Sequence, residues 1–189
     1  MPTAPPSHRT PARTEAPLLT RPIPAPEPAP PLRHPELPLP DYRFVPRLYP
    51  HPYRGAGGHR HLAEGAEGWP HAQMIEHGCD LFDQRYVWES HECWERVWHQ
   101  VDRADPVHPF LQGLIQAAAF CIKVHEEAWA PADRLLLRAS EHLDRAEAAV
   151  GPVQHGVDLP RLRARLQSFR AGGEWPVIGL PEVGSHAGG

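Results

Sequence analysis

From Trp69 onward, apolar residues recur at helical spacing; before that point they do not. Met74, Ile75, Gly78, Leu81 and Phe82 fall three and four residues apart behind Pro70, which suits the first turn of a helix. Asp83-Gln84-Arg85 marks a bend, and a second helix is predicted from Tyr86 to Gln100. Asp102 to Pro106 reads as a turn, followed by a third helix over Val107–Glu127. Pro131 opens a fourth, with Leu136, Ala139, Leu143, Ala146 and Val150 in register and Gly151-Pro152 as its stop. Asp158 is placed to cap a last helix carrying Leu159, Leu162, Leu166 and Phe169 on one stripe. No segment alternates convincingly, so no sheet is expected. The predicted fold is all-α, a small bundle of about five helices behind a Pro-rich, largely disordered N-terminal tail.

The second and third helices hold the polar residues of interest. At ~100° per residue, Val87, Ser90, Trp94, Val97 and Trp98 share an arc as wide as a core face. Glu89 and Arg96 are expected on the far side, in water. His91 sits at the edge of the apolar arc, with Glu95 one turn on and Glu92 further round, near Trp88 and His99. The third helix is apolar almost all round and belongs in the middle of the bundle. Its one polar stripe is Gln112, Gln116 and Lys123, and Gly113 with three alanines lets a neighbour approach closely.

Composition divides the chain differently. About two-thirds of its 25 prolines precede Tyr53, in a stretch too Pro-rich for helices or central strands. Residues 1–40 are expected to be a disordered, solvated tail, 41–68 an irregular arm rich in aromatics and histidine, 69–170 the helical domain, and 171–189 a disordered C-terminal tail. The arm, from Asp41-Tyr42-Arg43-Phe44-Val45 through Tyr49 and Tyr53, is expected to lie across the bundle, where aromatics bury area without regular structure. Eight arginines against four acids precede His61; the total of −4 leaves about −8 on the remainder.

Those features exclude several classes. No basic patch interleaves with aromatics, so nucleic acid is not an expected partner. The longest apolar run, Phe110–Val124, is broken by Gln112, Gln116 and Lys123, and no membrane span is expected. Cys79, Cys93 and Cys121 are odd in number and far apart, which points to a reducing compartment; with no signal-peptide layout at Met1-Pro2-Thr3, a cytoplasmic location is expected.

The candidate chemistry lies at the seam of the second and third helices. His91 and Glu95, with Gln112 or Gln116 facing them, would make a half-buried polar pocket, with Glu92 or Glu95 supplying charge. Imidazole and carboxylate on adjacent turns can share a divalent metal ion, and a glutamate can raise the pKa of a neighbouring histidine for acid–base work. The same residues also serve as a plain hydrogen-bonded seam. His51 or His59 of the arm would complete a metal site with His91 if the arm covers that face. His91-Glu92-Cys93-Trp94-Glu95 is not the zinc-protease pattern, because a glutamate stands where the second histidine is needed. No Glu-x-x-His pair supports a di-iron bundle, no phosphate loop is present, and no nucleophile elbow holds Ser90 or Ser140. Two readings follow: a protein that binds a metal ion or small polar ligand through His91, Glu92, Glu95, Gln112 and Gln116, or a non-enzymatic module for protein interaction or oligomerisation. Catalytic residues and substrate are not legible.

Glu89-Ser90-His91-Glu92 ending at Trp98, then Phe110-Leu111-Gln112-Gly113-Leu114-Ile115-Gln116, then His155-Gly156-Val157-Asp158-Leu159, resembles the Domain of Unknown Function 309 family over about Met74 to Phe169. The resemblance implies a small all-helical bundle in a bacterial cytosolic protein and carries no established activity. Its motif positions map onto Glu89, His91, Glu92, Trp98, Gln112, Gly113 and Gln116. Two departures bear on the bend before the second helix: Arg85 stands where the family usually has Gly, and Val87 where an aromatic is common.

Overall fold

The computed structural model describes residues 20–54, 58 and 68–180. Five helices follow one another: α1 (His71–Asp83), α2 (Val87–Trp98), α3 (Val107–His125), α4 (Trp129–Val150) and α5 (Leu159–Arg170). The all-α expectation holds, with one small addition. β1 (Val153–Gln154) and β2 (Val157–Asp158) pair antiparallel as Val153 with Asp158 and Gln154 with Val157. His155 and Gly156 both take positive φ (45° and 72°), the geometry of a two-residue hairpin turn. A ribbon this short leaves no alternating pattern to read.

α3 is the central element. It packs against α2 on one side and α4 on the other, α1 packs on α2, and α5 on α4. Phe110, Leu111, Leu114, Ala118, Phe120 and Cys121 on α3 are fully enclosed. α3 is also the one helix among the described residues long and apolar enough to cross a membrane, yet 56% of its most apolar window is buried within the bundle. Trp94 of α2 is enclosed too, and its indole N–H donates to the carbonyl of Ile75 at 3.1 Å, which satisfies the ring in the core.

The bend between α1 and α2 is a Schellman turn. Tyr86 N–H donates to the Leu81 carbonyl at 2.8 Å and Arg85 N–H to Phe82 at 2.9 Å, with Arg85 in the left-handed region at φ 63°. That position favours glycine on steric grounds; an arginine occupies it here and α2 still enters with Val87 buried. At the other end of the bundle, Asp158 caps α5 through its carboxylate, which accepts from Arg161 N–H at 2.9 Å.

The described parts of both predicted tails pack against the helices. Residues 20–40 are not a solvated tail; they run along the bundle as a strap, with Ile23 and Pro26 buried. Residues 172–180 also pack, with Pro176 and Ile178 buried. The physical reason lies in the last turn of α1. Asp80 accepts from the backbone N–H of Arg33 and of His34, both at 2.9 Å, and from the Arg33 guanidinium at 3.0 Å. Asp83 accepts from the N–H of Ile178 and, at 2.9 Å, of Gly179. The arm continues the strap as expected: Phe44 and Val45 are buried, and Arg43 lies 4.4 Å over the Tyr86 ring. The expectations for residues 1–19, 55–57, 59–67 and 181–189 lie outside the described residues.

Candidate metal centre

α2 carries His91 and Glu92 side by side with Glu95 one turn on, and residues three or four apart are neighbours on a helix surface. One ligand atom from each lies within 4.8 Å of the others. His91 Nδ1 stands 3.6 Å from Glu92 Oε1 and 3.8 Å from Glu95 Oε2. These separations are too long for hydrogen bonds, and Nδ1 is buried with no hydrogen-bond partner. The side chains are partly accessible, at 24%, 25% and 38% for His91, Glu92 and Glu95. Glu95 reaches the other way too, with Oε1 4.0 Å from Nε2 of the exposed His99.

Gln112 and Gln116 are half-buried on α3, the helix that packs on α2. Gln116 Oε1 is buried without a hydrogen-bond partner. No hydrogen bond joins either glutamine to His91 or the glutamates among the described residues. Trp98 Nε1, on the same helix as His91, is likewise buried and unpartnered. Polar groups in this state on facing helices are costly unless something else satisfies them.

The arm reaches the turn before this cluster. Phe44 N–H donates to Glu89 Oε1 at 2.9 Å, and the Phe44 ring meets Trp88 at 4.9 Å between centroids. Glu89, expected in water, is fully buried as a result: the arm covers the face that the helix pattern assigns to solvent. Burial pushes its carboxyl up to about 7, against the opposing Phe44 N–H and Arg43. His51 stacks edge-on to Trp88 at 5.5 Å and to Phe44 at 5.5 Å, so it belongs to an aromatic cluster and not to the His91 ligand set. His59 lies outside the described residues. Cavities of about 230 and 400 Å³ border Trp175 and include none of these candidate residues.

A family match covers residues 75–135, from the second turn of α1 into α4. They match the Domain of unknown function family DUF309. The resemblance drawn from the helix motifs is borne out over that span. No curated protein and no solved structure matches the chain. His91, Glu92, Glu95, Gln112 and Gln116 all fall inside the DUF309 segment, whereas His51, the strap and the C-terminal segment fall outside it. Sequence reasoning missed Arg33, Asp80 and Asp83. The available signal was electrostatic: two aspartates in the last turn of α1, where the helix dipole disfavours negative charge, imply a partner from elsewhere.

Proposed function

We propose that this protein binds a divalent transition-metal cation through His91 Nδ1 and the carboxylates of Glu92 and Glu95. The observation that carries the reading is the convergence of those three ligand atoms within 4.8 Å, with the imidazole nitrogen buried and uncommitted. A nitrogen and two carboxylate oxygens suit zinc, manganese or iron(II) better than calcium, whose shell is built from oxygen alone. Three protein ligands leave coordination positions for water or a small polar ligand. A cation also resolves the electrostatics, since two glutamates face each other across one imidazole. The proposed setting is the bacterial cytoplasm, where three free, buried cysteines stay reduced.

The test is calorimetric titration of the untagged full chain with Zn²⁺ and, separately, Mn²⁺, with His91→Ala and Glu95→Gln as controls. One site present in the wild type and lost in both variants is expected. Equal binding by wild type and His91→Ala, or no site in the wild type, overturns the reading.

A further inference from the structure

Two arginines tie together the two segments that flank the helical bundle. Arg33 lies on the strap with its side chain 7% exposed; its guanidinium bonds Asp80 at 3.0 Å and Asp83 at 3.5 Å, and its second amino group donates to the Gly179 carbonyl. Asp83 in turn accepts the backbone N–H groups of Ile178 and Gly179. A single pair of carboxylates in the last turn of α1 therefore holds the strap and the C-terminal segment at once. Arg85 repeats the connection from the other side of the bend. Its guanidinium donates to the strap carbonyls of Pro24 and Ala25 at 3.3 and 3.2 Å and lies 5.5 Å over the Trp175 ring. This accounts for an arginine at a left-handed position suited to glycine: the side chain, not the backbone preference, is used there.

We propose that the strap and the C-terminal segment close as one cooperative clasp, and that closure regulates the cation site on α2. Neither segment can leave without stranding groups that hold the other. If the C-terminal segment departs, Asp83 loses two backbone donors and Arg33 loses an acceptor; if the strap departs, Asp80 and Asp83 lose their cation in a desolvated place. The clasp reaches the site through the arm that continues the strap. Phe44 fastens Glu89 by its N–H and Trp88 by its ring, and these two residues form the turn immediately before His91 and Glu92. Opening the strap therefore frees the first turn of α2, where short-helix ends fray most readily, and loosens the ligand set. The clasp itself is independent of the proposed function; its regulatory role rests on the cation reading above.

Two variants of the full chain test this, one for each segment. Trp175→Ala removes a side chain of the C-terminal segment and Arg33→Met one of the strap. Amide exchange is followed at His34 and Phe44 on one side and at Ile178 and Gly179 on the other. Because coupling is reciprocal, each variant is expected to speed exchange by about fivefold or more in the opposite segment at groups the replaced side chain does not itself touch: Ile178 for Arg33→Met, and His34 and Phe44 for Trp175→Ala. Faster exchange confined to the mutated segment overturns the clasp. Trp175→Ala keeps the test valid should Arg33→Met fail to fold, since it leaves the buried ion network whole. Zn²⁺ titration of the same proteins separates the two claims. Binding weakened by about fivefold or more in Trp175→Ala supports regulation. Wild-type affinity in that variant, with exchange spread across both segments, overturns regulation and leaves the clasp. Absence of Zn²⁺ binding by the wild type overturns the cation reading and the regulation with it, while the exchange data still decide the clasp.

Discussion

Gly78 lies directly against the indole of Trp94: a Cβ built on the glycine would stand 2.3 Å from Nε1. That nitrogen is held by its bond to the Ile75 carbonyl, so the ring cannot step aside without giving up a buried hydrogen bond. Gly78→Ala is expected to destabilise the fold by about 2–3 kcal/mol despite the better helix propensity of alanine. Gly113 is crowded as well. A Cβ there would meet Leu143 at Cδ2 (2.5 Å) and Cγ (2.7 Å), with the Leu143 backbone nitrogen at 3.3 Å. Rotating a methyl does not clear the branch carbon of a fully buried leucine, so Gly113→Ala is also expected to destabilise, and Gly113→Leu overpacks the α3–α4 contact by roughly 1–3 kcal/mol. Urea unfolding of the three variants checks the losses.

His77 sets an acid limit on stability. It is 1% exposed, neither ring nitrogen has a hydrogen-bond partner, and the Trp69 ring meets it edge-on at 5.5 Å. Burial pushes its pKa from 6.5 down to about 4, with Asp80 opposing and His34 reinforcing the shift. The unfolded chain takes up this proton at a higher pH than the folded one. The contribution is therefore intact above about pH 6.5 and is lost progressively as pH falls toward 4, up to about 3 kcal/mol. His77→Leu is expected to match or exceed wild-type stability at pH 7 and to flatten the loss between pH 6.5 and 4. Parallel unfolding curves of the two proteins across that range would refute the assignment.

The α3–α4 connection closes with Glu127 in the left-handed region at φ 56°, where Ala128 N–H reaches the Lys123 carbonyl at 2.9 Å. Glycine removes the strain, worth about 1 kcal/mol, and forfeits only a half-exposed ion pair with Arg21 at 3.8 Å. Glu127→Gly is expected to raise the unfolding free energy by a few tenths to about 1 kcal/mol, read from urea titration. A fall would mean that the Arg21 contact outweighs the backbone.

All three cysteines are buried, and desolvation raises each thiol above its ordinary pKa. Iodoacetamide at about pH 8 is expected to modify none in the native protein within minutes and all three in concentrated guanidinium, with mass spectrometry counting the adducts. Rapid native labelling of Cys93, whose Sγ donates to the Met74 carbonyl at 3.2 Å, would show that the α1–α2 seam opens.

Helix order, the bend at residues 83–85 and the enclosure of α3 were legible because amphipathic helices write their contacts into a period. The His91–Glu95 pair was legible for the same reason, whereas Glu92, read as lying further round the helix, joins them in the structure. The strap was not. It anchors itself through isolated residues, Ile23, Arg33, Phe44 and Val45, and isolated anchors in a Pro-rich stretch leave no period to detect. Glu89 was assigned to water by a rule that assumes a helix has one covered face; the arm covers a second. Gln112 and Gln116 were placed on the right helix, but which of them faces His91 and Glu95 depends on rotamers that spacing does not specify.

The strap's carbonyls are met by side chains of the bundle: Gln84 reaches Pro30 at 2.6 Å, Arg85 reaches Pro24 and Ala25, and His125 reaches Arg21 at 2.8 Å. Proline has no amide hydrogen to give, so a covering of this kind offers little ladder for a neighbouring chain to extend. The protein thereby upholsters two helix faces with extended backbone while avoiding the sticky margin that a β-strand laid in the same place would present.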